Sequence, residues 1–138
     1  MLKALLRQDL QRLGELRVRE SAVLFAGGHF DGAVYLADLG IECALKACIA
    51  RKTREFQFPD ARWVNRINTH QLQVLLKEAE LDRKLEQAPD SVRENWTIVK
   101  DWRVELRYEV GKSEAECRDF LAAVSGPDGV MPWLRAFW

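Results

Sequence analysis

The stretch His29–Arg51, HFDGAVYLADLGIECALKACIAR, decides the fold, because its apolar residues occupy almost the whole circumference of a helix. One narrow acidic line interrupts them, formed by Asp31, Asp38 and Glu42. A helix that is apolar nearly all round is buried among other helices. The sequence therefore predicts that this is the central helix of a bundle. Glu42 precedes Lys46 by four residues, which is the favourable order for an ion pair along a helix.

The residues before this stretch also have the apolar spacing of a helix. A first helix is predicted to end at Gly27–Gly28, and Gly14 is a point at which it could break in two. The apolar residues of this helix fall on one stripe, which we expect to face the core. They are Leu2, Leu5, Leu6, Leu13, Leu16, Val23 and Leu24.

The remainder of the chain predicts a loop followed by four helices. Residues 52–67 are largely polar and form the loop. Capping boxes then mark where three helices begin: Asn68 with Gln71, Ser91 with Glu94 after Pro89, and Ser113 with Glu116. Gly111 ends the second of these helices, and a last helix has Pro132 near its first turn. No segment alternates as a strand does, so we predict one all-α domain over residues 1–138, an up-and-down helical bundle of about five to six helices.

Composition limits what such a bundle can bind. Twenty-one basic residues balance twenty-one acidic ones in 138 residues, so anion binding must come from a local patch. Cys43, Cys48 and Cys117 lack the spacing of a zinc site. We therefore expect reduced, buried thiols and predict neither a metal nor a cofactor. The chain has no apolar run of membrane-spanning length and no signal-peptide pattern, from which we expect a cytoplasmic protein without membrane association.

The helix predicted over residues 90–110 has an apolar face, an acidic face and a basic face. The basic stripe, beside Trp96, consists of Arg93, Lys100, Arg103 and Arg107. Arg103 and Arg107 are one turn apart and are predicted to hold a phosphate, with Lys100 as a further cation and Trp96 or Tyr108 as an apolar wall. The alternative is a solvated face whose arginines lie along the core edge or pair with acids of the central helix.

Three segments carry a family resemblance: LFAGGHFDGAVYLADLGIECALKACIARKT, THQLQVLLKEAEL and WTIVKDWRVELRYEVGKSEAECRDFLAAV. They resemble the HEPN domain, a small helical bundle often found beside minimal nucleotidyltransferases. The resemblance implies a homodimer that binds a nucleotide or RNA, with a nucleotidyltransferase as partner in a two-component, toxin–antitoxin-like system. It also implies a ribonuclease scaffold, because active HEPN domains cleave RNA without a metal, using an arginine followed after four to six residues by a histidine on the late helix.

That histidine is absent from this chain. The residues that follow Arg107 are YEVGKS, and the histidines of the chain are His29 and His70, which we expect to start a helix or to pack. The sequence therefore predicts a binding module whose catalytic motif is degenerate. One alternative is a metal-independent endoribonuclease with a nonstandard base, for which the candidates are His70, Tyr108 and Glu109, with Arg103 and Arg107 on the phosphate.

A third alternative is a structural interaction protein, because the C-terminal PWLRAFW contains three large aromatic residues, which are frequent interface anchors as well as core residues. Polar positions inside the bundle add one further prediction. Glu20, Asp38 and Glu42 interrupt apolar surfaces, and a buried carboxylate needs a partner. We expect at least one of them to contact Arg103 or Arg107, unless all three lie exposed at helix edges.

Overall fold

The computed structural model describes residues 5–53, 65–101 and 110–138, and within these ranges the chain is helical, without a β-strand. The described helices are α1 (Arg7–Ala26), α2 (Phe30–Lys52), α3 (Leu72–Glu78), α4 (Asp82–Glu86), α5 (Asp90–Lys100), α6 (Glu114–Ser125) and α7 (Val130–Arg135). The predicted all-α bundle is therefore confirmed. The short helix α4 was not predicted.

The central position of α2 is also confirmed. Helices α1, α3, α6 and α7 all pack against it. Ile41 and Leu45 on α2 are fully buried, and they join Leu75 of α3 and Leu134 of α7 in one core cluster. The helix begins and ends within one residue of the predicted bounds. Its apolar circumference therefore predicted its place in the bundle correctly.

Helices α1 and α2 form a hairpin whose backbones come close together at two glycines. A Cβ atom placed on Gly14 would lie 3.2 Å from the carbonyl oxygen of Gly40, and one placed on Gly40 would lie 3.1 Å from that of Gly14. Gly14 does not break α1, which is continuous from Arg7 to Ala26. The glycine is instead part of the helix contact, because larger side chains would hold the two backbones apart.

The prediction that one apolar stripe of α1 faces the core is wrong for most of its residues. Leu24 packs against the core and Leu13 is partly buried, whereas Leu16 and Val23 are exposed, and we call these two residues the α1 outer face. Leu5 and Leu6, which precede α1, are also exposed, and Leu2 lies outside the described residues. The residues of α1 that are buried are Leu10, Gly14 and Ser21. The close approach to α2 places the small residues Gly14 and Ser21 on the inner face, together with Leu10.

The predicted capping boxes are correct in one case of three, although α5 begins at Asp90, as predicted. Ser113 caps α6, and its Oγ accepts a hydrogen bond from the backbone N–H of Glu116 at 3.0 Å. The other two boxes are wrong: α3 begins after Gln71 and α5 after Pro89, and neither has a side-chain cap. Residues 65–67, assigned to the loop, are helical, and residues 54–64 of that loop lie outside the described residues.

The C-terminal aromatic residues pack against the body of the bundle. Trp133, Phe137 and Trp138 are partly buried on the core, and the rings of Trp133 and Phe137 are 5.2 Å apart in an edge-to-face arrangement. The carbonyl oxygen of Trp138 accepts hydrogen bonds from the side chains of Arg7 and Gln11 on α1. These residues therefore seal the α1 and α7 side of the core. Pro132 lies in the first turn of α7, as predicted.

The three cysteines are free and buried, as predicted. None of the helices in the described ranges has both the length and the apolar character that a membrane crossing demands.

Candidate functional site

A buried carboxylate on the central helix holds two cationic or titratable side chains. Glu42 is 3% exposed. Its Oε1 accepts a hydrogen bond from Lys46 Nζ at 2.9 Å and lies 2.8 Å from His70 Nδ1. The predicted pair of Glu42 and Lys46 is thus confirmed. We call these three residues the Glu42 cluster.

The turn before α3 brings His70 to this carboxylate. Leu72, the first residue of α3, is 1% exposed, so it anchors the helix start in the core. Thr69, directly before His70, turns the chain, because its Oγ1 accepts a hydrogen bond from the backbone N–H of Gln71 at 3.1 Å. His70 lies between these two fixed points. Its contact with Glu42, 28 positions earlier in the chain, was not predicted, because no local pattern relates two residues so far apart.

The geometry sets the state of the imidazole. An ionised carboxylate only accepts hydrogen bonds, so we assign the proton of the His70 ring to Nδ1, which donates a hydrogen bond to Glu42. In a neutral ring, Nε2 then has the free lone pair. The His70 side chain is 50% exposed, whereas that of Glu42 is 4% exposed. The cluster therefore combines a buried orienting carboxylate with an imidazole that solvent and ligands can reach.

The second carboxylate oxygen of Glu42 has no hydrogen-bond donor among the described residues. Oε2 is buried, and no residue in the described ranges donates a hydrogen bond to it. Buried carboxylate oxygens normally have a donor, since the loss of water is costly. The Glu42 cluster therefore has acceptor capacity beyond its contacts with Lys46 and His70.

The basic stripe is only partly within the described residues. Arg103, Arg107, Tyr108 and Glu109 lie outside them, so the phosphate-binding pair remains a prediction. Lys100, the last residue of α5, is partly buried. Arg93 is engaged at the start of α5, where it donates to the carbonyl oxygen of Glu86 at 2.7 Å and pairs with Asp90.

The interpretation of Trp96 as a wall for a ligand is wrong. Trp96 is 6% exposed and belongs to the hydrophobic core together with Val99. Val92 is buried on the same side of α5, whereas Ile98, which the sequence pattern also places on the apolar face of this helix, is 46% exposed. Val110 lies outside α5 and is 90% exposed. The buried face of α5 therefore consists of Val92, Trp96 and Val99. Arg93 and Lys100 lie next to this face around the helix axis.

The acids predicted to support the arginines occupy different environments. Glu20 is near the surface and forms an ion pair with Arg17 at 2.5 Å. Asp38, like Glu42, is 3% exposed, so the alternative in which all three acids are exposed is wrong. Whether any of them contacts Arg103 or Arg107 depends on residues outside the described ranges, and this contact stays a prediction.

Two further polar residues sit at the start of α2. His29 is exposed and precedes the helix, as predicted, without a side-chain capping bond. Asp31 accepts hydrogen bonds from the backbone N–H groups of Gly111 and Lys112, each at 3.0 Å. These two bonds hold the pKa of Asp31 below its ordinary value. The acidic line of α2 thus anchors two loops, one through Asp31 and one through Glu42.

The comparisons with known proteins agree with this architecture. The sequence model of the HEPN domain matches residues 7–126, a range that begins with α1 and extends just past α6. No curated protein and no solved structure matched the chain.

Proposed function

We propose that this chain, which belongs to the HEPN domain family, is a dimeric module that binds the phosphate of RNA or of a nucleotide. The ligand is held by Lys100, Arg103 and Arg107, with Tyr108 beside them. A planar guanidinium pair suits the oxygens of a phosphate, and two arginines one helical turn apart can grip it together.

The observation that carries the proposal is the orientation of α5. Its seam of Val92, Trp96 and Val99 is buried in the core. Lys100 lies next to this buried face around the helix axis, and its side chain is partly buried at the end of the helix. A cation in that position is well suited to an anion bound at the edge of the bundle, because partial burial weakens screening by salt.

A binding measurement tests the proposal. Fluorescence anisotropy with a labelled single-stranded RNA in EDTA, together with calorimetric titration of nucleotides, should show binding that the Arg103→Ala/Arg107→Ala variant loses by at least tenfold. The control is Arg83→Ala/Lys84→Ala, which removes two exposed cations of α4 and changes the net charge equally. Equal weakening in both variants would indicate nonspecific attraction, and the absence of binding to the wild-type protein would refute the proposal.

The α1 outer face supports the dimer. Leu16 is 40% exposed and Val23 is 72% exposed, on a helix whose opposite side packs on α2. Isolated exposed apolar residues are ordinary, but two large ones on the same outward face of a helix favour association with another protein surface. A second copy of the chain presents the same face, as a twofold dimer requires.

Light scattering coupled to size exclusion tests this interface. The Leu16→Glu/Val23→Glu variant should be monomeric while it keeps its helical circular dichroism spectrum. Ile98→Glu is the matched control, since Ile98 is exposed to a similar extent on α5. A dimer that survives the double substitution would place the interface elsewhere.

The resemblance extends the proposal to a partner. We expect the chain to act in the cytoplasm with a minimal nucleotidyltransferase, in the manner of a toxin–antitoxin-like pair. Co-expression with a minimal nucleotidyltransferase should yield a complex that survives purification. Separate elution of the two proteins would count against the pairing.

A further inference from the structure

A groove lies between α5 and α6, and one residue of the central helix α2 also lines it. Its volume is about 420 Å³, which is within the roughly 300 to 1,000 Å³ of typical ligand sites. We propose that this groove binds a short basic segment of a partner protein, in which arginines flank an apolar residue. The proposal goes beyond the phosphate binding described above, because the ligand is a cation rather than an anion.

The apolar lining of the groove is the first argument. Val34 of α2 and Phe120 of α6 belong to the hydrophobic core, and they are 2% and 8% exposed. Ile98 lines the groove from α5 and is 46% exposed. An apolar side chain that lines a concave surface gains from being covered by a ligand. The groove therefore offers contacts to an apolar side chain and to the apolar stem of an arginine.

The charge of the groove is the second argument. Asp101 directly follows α5, and Glu116 and Asp119 lie one turn apart on α6. All three side chains are exposed, and none forms a salt bridge with another described residue. Lys112 also lines the groove, but its charge acts on Asp31, whose pKa is lowered by two backbone hydrogen bonds and by this cation. Three carboxylates against one ammonium leave the groove with an excess of negative charge.

Charge and shape together select the ligand. Exposed carboxylates are common on protein surfaces, but here they border the groove from both helices and apolar surface lies between them. The guanidinium of arginine forms two parallel hydrogen bonds with a carboxylate, and its stem is apolar, so arginine matches both features. An acidic ligand would be repelled by the same carboxylates. A polyamine has the cations but no apolar side chain to cover Ile98.

Fluorescence anisotropy with defined peptides tests the proposal on the full chain. The probe is fluorescein-labelled Gly-Arg-Leu-Arg-Gly, and the comparison peptides are Gly-Arg-Gly-Arg-Gly and Gly-Glu-Leu-Glu-Gly. The variant Asp101→Asn/Glu116→Gln removes two charges of the groove. Its control is Asp82→Asn/Glu86→Gln, which makes the same two changes at exposed residues of α4 that also have no salt bridge with a described residue.

We expect the arginine–leucine peptide to bind saturably and the glutamate peptide not to bind. Asp101→Asn/Glu116→Gln should weaken binding by at least tenfold, because two ionic contacts are lost, whereas the control variant should bind as the wild-type protein does. Ile98→Ala should weaken the arginine–leucine peptide several-fold but leave the arginine–glycine peptide unaffected, since that peptide has no side chain to contact Ile98. Amide NMR shifts during the titration should be largest around Ile98, Asp101 and Glu116.

Four results would overturn the proposal. They are the absence of saturable binding of the arginine–leucine peptide, equal weakening in the groove variant and its control, NMR shifts centred outside the groove, and displacement of the peptide by spermidine at concentrations no higher than those of unlabelled peptide. The last result would assign the groove to small organic cations. If the groove variant loses its helical circular dichroism, the NMR map and the Ile98→Ala comparison decide.

Discussion

Asp31, in the first turn of α2, accepts a hydrogen bond at 3.0 Å from the backbone N–H of Lys112, which lies 81 residues later in the chain. Its other carboxylate oxygen accepts the N–H of Gly111 at the same distance. Gly111 has a φ of +97°, a conformation that glycine adopts without strain. Consecutive N–H groups can then converge on one anion. The central helix thereby fixes the loop that precedes α6.

This contact predicts an acid-sensitive contribution to stability. The hydrogen bonds from Gly111 and Lys112 lower the pKa of Asp31 in the folded protein from its ordinary value of 3.8. The unfolded chain therefore binds the proton more readily, and the contribution is present above pH 3.8 and is lost as the pH falls through the folded pKa. Asp31→Asn should cost about 1 kcal/mol at pH 7, with a smaller difference from the wild-type protein at pH 3.

Urea unfolding at the two pH values measures this effect. Asp119→Asn is the control, because Asp119 is exposed on α6 and offers the same change of charge. A difference between Asp31→Asn and the wild-type protein that stays constant from pH 7 to pH 3 would contradict the assignment.

Lys46→Met should destabilise the protein by about 1 to 3 kcal/mol. Methionine keeps the apolar length of the side chain but removes the charged donor from Glu42, which is then buried with His70 as its remaining partner among the described residues. Lys77→Met, at an exposed position of α3, provides the comparison. Equal free energies of unfolding for both variants would show that Glu42 does not depend on Lys46.

Two glycine substitutions on α2 should have opposite effects on stability. A Cβ on Gly40 would lie 2.8 Å from Cγ2 of Val18, which is too close, and 3.1 Å from the carbonyl oxygen of Gly14. Gly40→Ala should therefore have a net cost of about 1 to 2 kcal/mol from overpacking. At Gly32 the nearest atom is Cδ1 of Leu24 at 3.3 Å, the end of a flexible side chain. Gly32→Ala should raise stability by up to about 1 kcal/mol.

Thermal and urea unfolding of both alanine variants check this prediction, and each is the control for the other because the gain in helix propensity is the same. A stabilised Gly40→Ala would mean that α1 moves away from α2 without loss.

The thiols should be unreactive while the protein is folded. Burial raises the pKa of Cys43 to about 11 and that of Cys48 to about 12, and it also raises the pKa of Cys117. At neutral pH the thiolate, which is the reactive form, is therefore scarce. Ellman's reagent should modify none of the three within minutes in buffer and all three in denaturant. Fast modification in buffer would show that a cysteine is accessible.

Contacts within one helix could be predicted from the sequence, whereas contacts between distant segments could not. The pair of Glu42 and Lys46 was predictable because helix geometry alone brings residues four apart together. The contact of Glu42 with His70 was not, since it depends on how the chain returns from the end of α2 to the start of α3. A carboxylate on an otherwise apolar helix indicated that a partner was needed but could not identify it.

The first helix shows a different limit. Hydrophobic periodicity predicted that Leu16 and Val23 would be buried, and both are exposed. The face that α1 buries includes Gly14 and Ser21, which have little apolar surface to reveal their position. Close packing of two backbones depends on small size, which a hydrophobicity pattern does not register.

The helix α2 also fixes the distance between two of its acidic residues. Asp31 and Glu42 are eleven residues apart, or about three helical turns, so they lie on nearly the same side of α2 and roughly 16 Å apart along its axis. Each anchors a different loop, one before α6 and one before α3. A substitution that disturbs one loop, at Asp31 or at Glu42, therefore acts at a point roughly three helical turns away from the other loop.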